Sequence, residues 1–157
     1  MAIDTVREYL KQFHGEQEIQ EFPVSSATVE LAAKAVGVIP ARIAKTLSFH
    51  NGNGRALLVV TAGDCKIDNS KFKGTFGMKA KMLSPEEARA LTGHEVGGVC
   101  PFANPEGTRV CLDQSLQRFE TVFPACGSSN SAIELSCADL FTLSGAEAWV
   151  DVCKRSE

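Results

Sequence analysis

The stretch KTLSFHNGNGRALLVVTA, residues 45–62, decides the fold class. Lys45, Leu47 and Phe49 alternate with Thr46, Ser48 and His50, the period of two that puts successive side chains on opposite faces of a strand. Asn51-Gly52-Asn53-Gly54 is hairpin chemistry, because Gly and Asn accept the positive φ that a tight turn between twisted strands requires. It leads into a second strand, Arg55–Ala62. Two antiparallel strands are expected here, so the chain is neither a helical bundle nor a regular Rossmann alternation.

Helices flank this hairpin. Ile3, Val6, Leu10 and Phe13 fall on one helical stripe that should close near Gly15. A second helix follows Ser25-Ser26, runs through TVELAAKAV and stops at Gly37, a favoured left-handed cap. Residues 63–83 are rich in Gly and Lys and show little periodicity. Ser84-Pro85-Glu86-Glu87 then announces a helix with a capping box and Pro at its first position, and Gly93 ends it. The tail reads as strand 109–112, short helix 113–119, strand 120–124, turn 127–130, strand 131–136, helix 137–143 and strand 148–152. Together these predict one domain over residues 1–157. It is of mixed α/β (α+β) class, with a curved, barrel-like mixed sheet and helices packed around it.

At 157 residues with 44% hydrophobic and 22% charged positions, the chain is long enough to bury its own core without staples. Its six cysteines form no CxxC pair, which suits reduced structural thiols better than a disulfide framework or a zinc site. No metal and no cofactor is expected. No apolar run approaches the ~18 residues of a membrane span, and MAIDTVREYLKQF lacks the layout of a signal peptide, so a cytoplasmic protein without membrane contact is expected. A formal charge of −3 excludes a generally basic nucleic-acid coat, and no DNA partner is expected. One local patch stands out: Lys66, Lys71, Lys73, Lys79 and Lys81 face a single acid, Asp68. That suits a partner presenting a few phosphates, or else is a solvated loop; Phe72 and Phe76 between the lysines either stack on a base or anchor the loop in the core.

Three further features carry chemistry. Lys45 shares a strand face with Leu47 and Phe49, so it is either an anion-binding lysine at the lip of a pocket or a strand-start lysine snorkelling to water. The segment Gly97-Gly98-Val99-Cys100-Pro101 has the spacing G-x-x-x-P, in which glycine lets backbone N–H groups approach a ligand oxygen, as in an oxyanion hole, or simply turns the chain. Gly127-Ser128-Ser129-Asn130 is an ordinary turn or a set of donors for a substrate. Cys100 with His94 six residues upstream is a weaker pattern for a nucleophilic thiol, because no third member can be assigned. His14 and His50 read as surface or turn residues.

Four segments in register resemble the YbaK/EbsC family, free-standing relatives of the editing domain inserted in bacterial prolyl-tRNA synthetases. They are Ala44–Phe49, Gly93–Phe102, Asp113–Leu116 and Cys126–Leu135. The resemblance implies hydrolysis of the ester joining a wrong amino acid to the terminal adenosine of a tRNA. The expected substrate is tRNA(Pro) carrying a small residue such as Ala, Cys or Ser. By the same resemblance Lys45 matches the functional lysine and Gly97–Pro101 the G-x-x-x-P substrate loop; joined to the reading of the residues, this makes the backbone N–H groups of Gly97, Gly98 and Val99 the catalytic ones, facing the ester carbonyl. Cys100, Pro101, Gly127, Ser128 and Asn130 are then expected to contact substrate, and the lysine patch, on its charge alone, to contact tRNA. No protein nucleophile is implied, because a ribose hydroxyl or substrate thiol assists. A transient synthetase contact is a further expectation, and a non-catalytic module binding a tRNA end or a synthetase is the alternative.

Overall fold

The computed structural model describes residues 2–13, 19–95 and 98–155. In chain order the elements are α1 (Ala2–Lys11), β1 (Gln20–Glu21), α2 (Val29–Val36), β2 (Ile43–His50), β3 (Ala56–Ala62), β4 (Cys65–Ile67), α3 (Asn69–Phe76), α4 (Pro85–Thr92), β5 (Arg109–Asp113), β6 (Thr121–Pro124), β7 (Ser131–Ala132), β8 (Leu135–Ser136), α5 (Cys137–Ser144), β9 (Ala148–Val150) and β10 (Cys153–Arg155). Short 3₁₀ turns occupy Pro40–Arg42 and Gln114–Arg118.

The hairpin is the centre of the main sheet, whose order is β8-β6-β2-β3-β5-β9. β2 and β3 pair antiparallel, Lys45 opposite Thr61 and His50 opposite Ala56. β6, β5 and β9 then add in parallel, and β8 adds antiparallel to β6. The result is a mixed α/β fold around a curled half-barrel. Every residue of β3 is buried, because a strand with neighbours on both edges and elements on both faces has no polar side. The core gathers Leu57, Leu58, Val59, Leu112, Leu116, Val122 and Ile133 with Val6 and Leu10 of α1. Among the described residues no helix is long and apolar enough to cross a membrane.

The structure departs from the sequence expectation in four places. α1 ends at Lys11, not near Gly15, which lies outside the described residues, as does His14; Phe13 is left 42% exposed. The weakly periodic 63–83 segment holds β4 and α3, whose caps rather than its apolar spacing define it: Asp68 accepts from Lys71 N at 3.0 Å, and Gly77 closes it at φ 71°. The strand expected over 131–136 is split, because Ser131–Ala132 pairs with β1 whereas Leu135–Ser136 pairs with β6. The last strand ends at Val150, and the chain adds β10, which pairs with β4.

Candidate active site

β2 is bonded along its length to β3, but its other edge changes partner. β6 reaches only Ile43 and Ala44 and stops at Pro124, which has no N–H to continue a ladder. Further along, Leu83 N donates to Ser48 O at 3.0 Å and His50 N to Lys81 O at 2.9 Å. Between these partners the edge is open, and a cavity of about 350 Å³ lies against Lys45, Thr46, Leu47 and Ser48. Its walls are the start of α2 (Ser26, Thr28, Val29), the entry to α4 (Leu83, Ser84, Pro85), and Val99, Ala125, Ser131 and Ala132.

Two features make this cavity suited to a polar, electron-rich ligand. Thr28 and Ser84 are the N-caps of α2 and α4, so the positive ends of two helix dipoles meet at its wall. Thr46 Oγ1 is buried without a hydrogen-bond partner among the described residues and is closed to water, so it adds nothing to the cavity as it stands. Lys45 supplies the charge. Its ammonium donates to the carbonyl oxygen of Cys65 at the start of β4, which uses one of its three N–H groups and leaves two.

Of the G-x-x-x-P segment, Gly97 lies outside the described residues. Gly98 is buried against the backbone of Ser128, which joins this loop to the Gly127–Asn130 turn. Its amide donates to Glu95 O at 2.9 Å, so the N–H expected to face an ester carbonyl is committed within the loop. Val99 is the described member that lines the cavity, whereas Cys100 and Pro101 are buried and do not. The second turn is cross-braced: Ser128 Oγ lies 2.7 Å from Ser131 Oγ and 3.0 Å from Asn130 Oδ1, and Asn130 Nδ2 donates to Phe22 O at 3.1 Å. Gly127, at φ 90°, supplies the left-handed bend, and Ser131 is the residue of this group that reaches the cavity wall.

His94 and Cys100 do meet, at 3.6 Å, but not as base and nucleophile. His94 Nε2 donates to Phe102 O at 3.0 Å, so that nitrogen carries the proton and has no lone pair for the thiol. Cys100 is fully buried, and burial pushes its thiol up to about 12, far from a thiolate at neutral pH. Among the described residues no group of three or more His, Cys, Asp or Glu is placed to hold a metal.

The five lysines do not form one cluster with the cavity. Lys81 precedes Met82 at its rim, and Lys73 and Lys79 are exposed on and after α3. Lys66 lies on β4 directly opposite Lys154 of β10, and Lys71 is bound to Asp151 (3.1 Å) and Cys153 O (3.1 Å). Phe72 is fully buried between Phe49 and Phe76, with ring centroids 4.8 and 4.7 Å apart, so it anchors α3 in the core. The walls supplied by Ser26–Val29 and Leu83–Pro85 were readable in the sequence only as helix starts; nothing in their spacing says that the two helix ends face one hollow.

Residues 24–143 match the family profile described as an aminoacyl-tRNA editing domain. Over the full length of both chains the sequence is 53% identical to the uncharacterised protein YwhH of Bacillus subtilis (strain 168). It is 30% identical over 90 residues to a proline--tRNA ligase of Aquifex aeolicus (strain VF5), a match spanning 57% of this chain and 16% of that one. Among solved structures, a proposed trans-editing enzyme for prolyl tRNA synthetase superposes with a TM-score of 0.87 at 28% identity, covering 98% of this chain and 97% of the other.

Proposed function

The chain belongs to the aminoacyl-tRNA editing domain family, and from that premise we propose that it is a deacylase acting in trans on tRNA(Pro) that carries a small, uncharged wrong amino acid. The supporting observation is the convergence, on one cavity at the open edge of β2, of Lys45, Val99 and two helix N-termini. The volume sits at the lower end of the usual ~300–1,000 Å³ for ligand sites, and its lining is largely apolar, with Ala32, Ala125 and Ala132 beside Val29, Ile43 and Leu47, which suits a small uncharged side chain.

An aminoacyl ester is already activated, so positioning and charge stabilisation suffice. Water attacks the ester carbonyl carbon, and the carbonyl electron pair moves onto oxygen. The tetrahedral oxyanion then collapses, the bond to the ribose oxygen breaks, and that oxygen takes up the proton released by the water. The neighbouring ribose hydroxyl assists the water, or the substrate thiol does in a cysteinyl ester. In this scheme Lys45 holds the terminal phosphate or orients the adenosine, and backbone N–H groups at Gly97–Val99 face the oxyanion. Gly98 joins them only by releasing Glu95 O. Gly127, Ser128 and Asn130 support the opposite wall, with Cys100 and Pro101 holding the loop from within. Lys66, Lys71, Lys73, Lys79 and Lys81 meet backbone phosphates, Lys71 with least freedom because of Asp151. Discrimination is by size, the second sieve that a synthetase accommodating proline needs for smaller residues, and the protein works beside that synthetase through a transient contact.

The test is a deacylation time course on tRNA(Pro) charged separately with Ala, Cys, Ser, Thr and Pro. Clearance of one or more small mischarged species with Pro-tRNA spared is expected. Tight tRNA binding with no clearance of any species would make the protein a binding module instead.

A further inference from the structure

The segment Asp113-Gln114-Ser115-Leu116 lines no part of the active-site cavity among the described residues. It is tied instead to the turn that holds Lys45. The acceptor of the Lys45 ammonium, Cys65 O, follows the Gly63-Asp64 turn between β3 and β4. The Asp64 carboxylate takes a two-pronged grip from Arg118, Nη1 to Oδ2 at 3.0 Å and Nη2 to Oδ1 at 2.6 Å. Arg118 is itself fixed by Nε donating to Ser115 O at 2.8 Å. Ser115 Oγ accepts from Ala62 N at 3.1 Å, which pins the other end of the same turn. The buried Asp113 anchors the whole bracket, accepting from Ser115 N and from Val152 N, each at 2.9 Å. On the opposite side Gly63 has no room to move, since a Cβ there would stand 2.1 Å from Pro40 O.

The Arg118 and Asp64 side chains are 28% and 31% exposed, and ion pairs that open to water contribute little to stability. Their parallel, two-bond geometry fixes orientation far better than it adds energy. We propose that Arg118 and Asp64 are positioning residues for Lys45: the pair, set by Ser115 and Asp113, fixes the Cys65 carbonyl and through it the direction of the Lys45 ammonium. The proposal rests on the reading of Lys45 as a working group of the deacylase.

The experiment compares wild type with Arg118→Ala, Arg118→Lys and Lys45→Ala by two readouts. One is the ¹⁵N–¹H resonance of the Lys45 ammonium, assigned by its loss in Lys45→Ala. The other is kcat and KM on the mischarged tRNA that wild type clears best. Arg118→Ala should move that resonance to the position of the exposed lysines and lower kcat/KM by about tenfold or more, because small misplacement of a positioned group is costly. Arg118→Lys, which keeps one donor but not the fork, should recover part of both. Asp64→Asn serves if Arg118→Ala does not fold, with the same shift expected. An unmoved resonance and unchanged kcat/KM in Arg118→Ala, beside an inactive Lys45→Ala, would overturn the proposal while leaving the deacylase reading intact. Full activity in Lys45→Ala would instead overturn the reading of Lys45 on which the proposal stands.

Discussion

Gly98 lies so close to Ser128 that a Cβ added to it would stand 2.8 Å from the Ser128 amide nitrogen and 2.9 Å from its Cα and carbonyl carbon. Two segments separated by thirty positions of sequence therefore share one backbone contact, and the loop carrying Val99 is placed against the turn carrying Ser131. The atoms met are backbone, so nothing can rotate aside.

Gly98→Ala should accordingly push the two segments apart and widen the wall between Val99 and Ser131. The expected outcome is a fall in kcat/KM on the order of 10²-fold with the helical circular-dichroism signal retained. Ser128→Ala removes only the hydroxyl that braces Asn130 and Ser131 and should cost less. Steady-state deacylation rates of the two variants decide this.

The thiols should be inert in the folded protein. Burial raises Cys100 to about 12 and Cys111 to about 11, and it also pushes up Cys65, Cys126, Cys137 and Cys153. A raised thiol pKa means less thiolate at pH 7–8 and slower alkylation. Iodoacetamide should leave deacylation untouched over a period that fully labels the unfolded chain, as read by mass spectrometry.

His94 should make stability fall on mild acidification. Burial holds its folded pKa below the ordinary value, and its Nδ1 is buried without a partner among the described residues, so the protonated ring is disfavoured. The unfolded chain then binds the proton first. The stabilisation is complete above about pH 6.5 and declines as pH drops below it, by at most about 1.4 kcal/mol per pH unit from one site. His94→Gln, which keeps a donor for Phe102 O, should flatten that slope in denaturant midpoints measured between pH 5 and 8.

Phe72→Ala should cost about 3–5 kcal/mol, because the ring is fully buried between Phe49 and Phe76 and its loss leaves a cavity. Chemical denaturation measures it, and a change in tRNA affinity without a change in stability would contradict the core placement.

The sequence carried the hairpin, the capped helices and the placing of Lys45 on a strand, because each is announced within a few residues: alternation at 45–50, Asn-Gly turns at 51–54, a capping box at Ser84. It was silent on α3, where Phe72 and Phe76 are too few to set a period and only the Asp68 cap marks the start. The division of 131–136 between β1 and β6 depends on partners far away in the chain, which local pattern does not encode. The same holds at the site. Spacing suggested a loop near a lysine, but that Gly98 spends its amide on Glu95 O and that Cys65 O holds the ammonium are tertiary facts.

The most direct test compares wild type, Lys45→Ala and Cys100→Ser on the same mischarged tRNA(Pro), following release of the amino acid at pH 7.5. Clearance by wild type and Cys100→Ser with loss in Lys45→Ala, all three folded by circular dichroism, is the expected result. Equal rates in wild type and Lys45→Ala, or loss of activity confined to Cys100→Ser, would contradict a lysine-centred deacylase that works without a protein nucleophile.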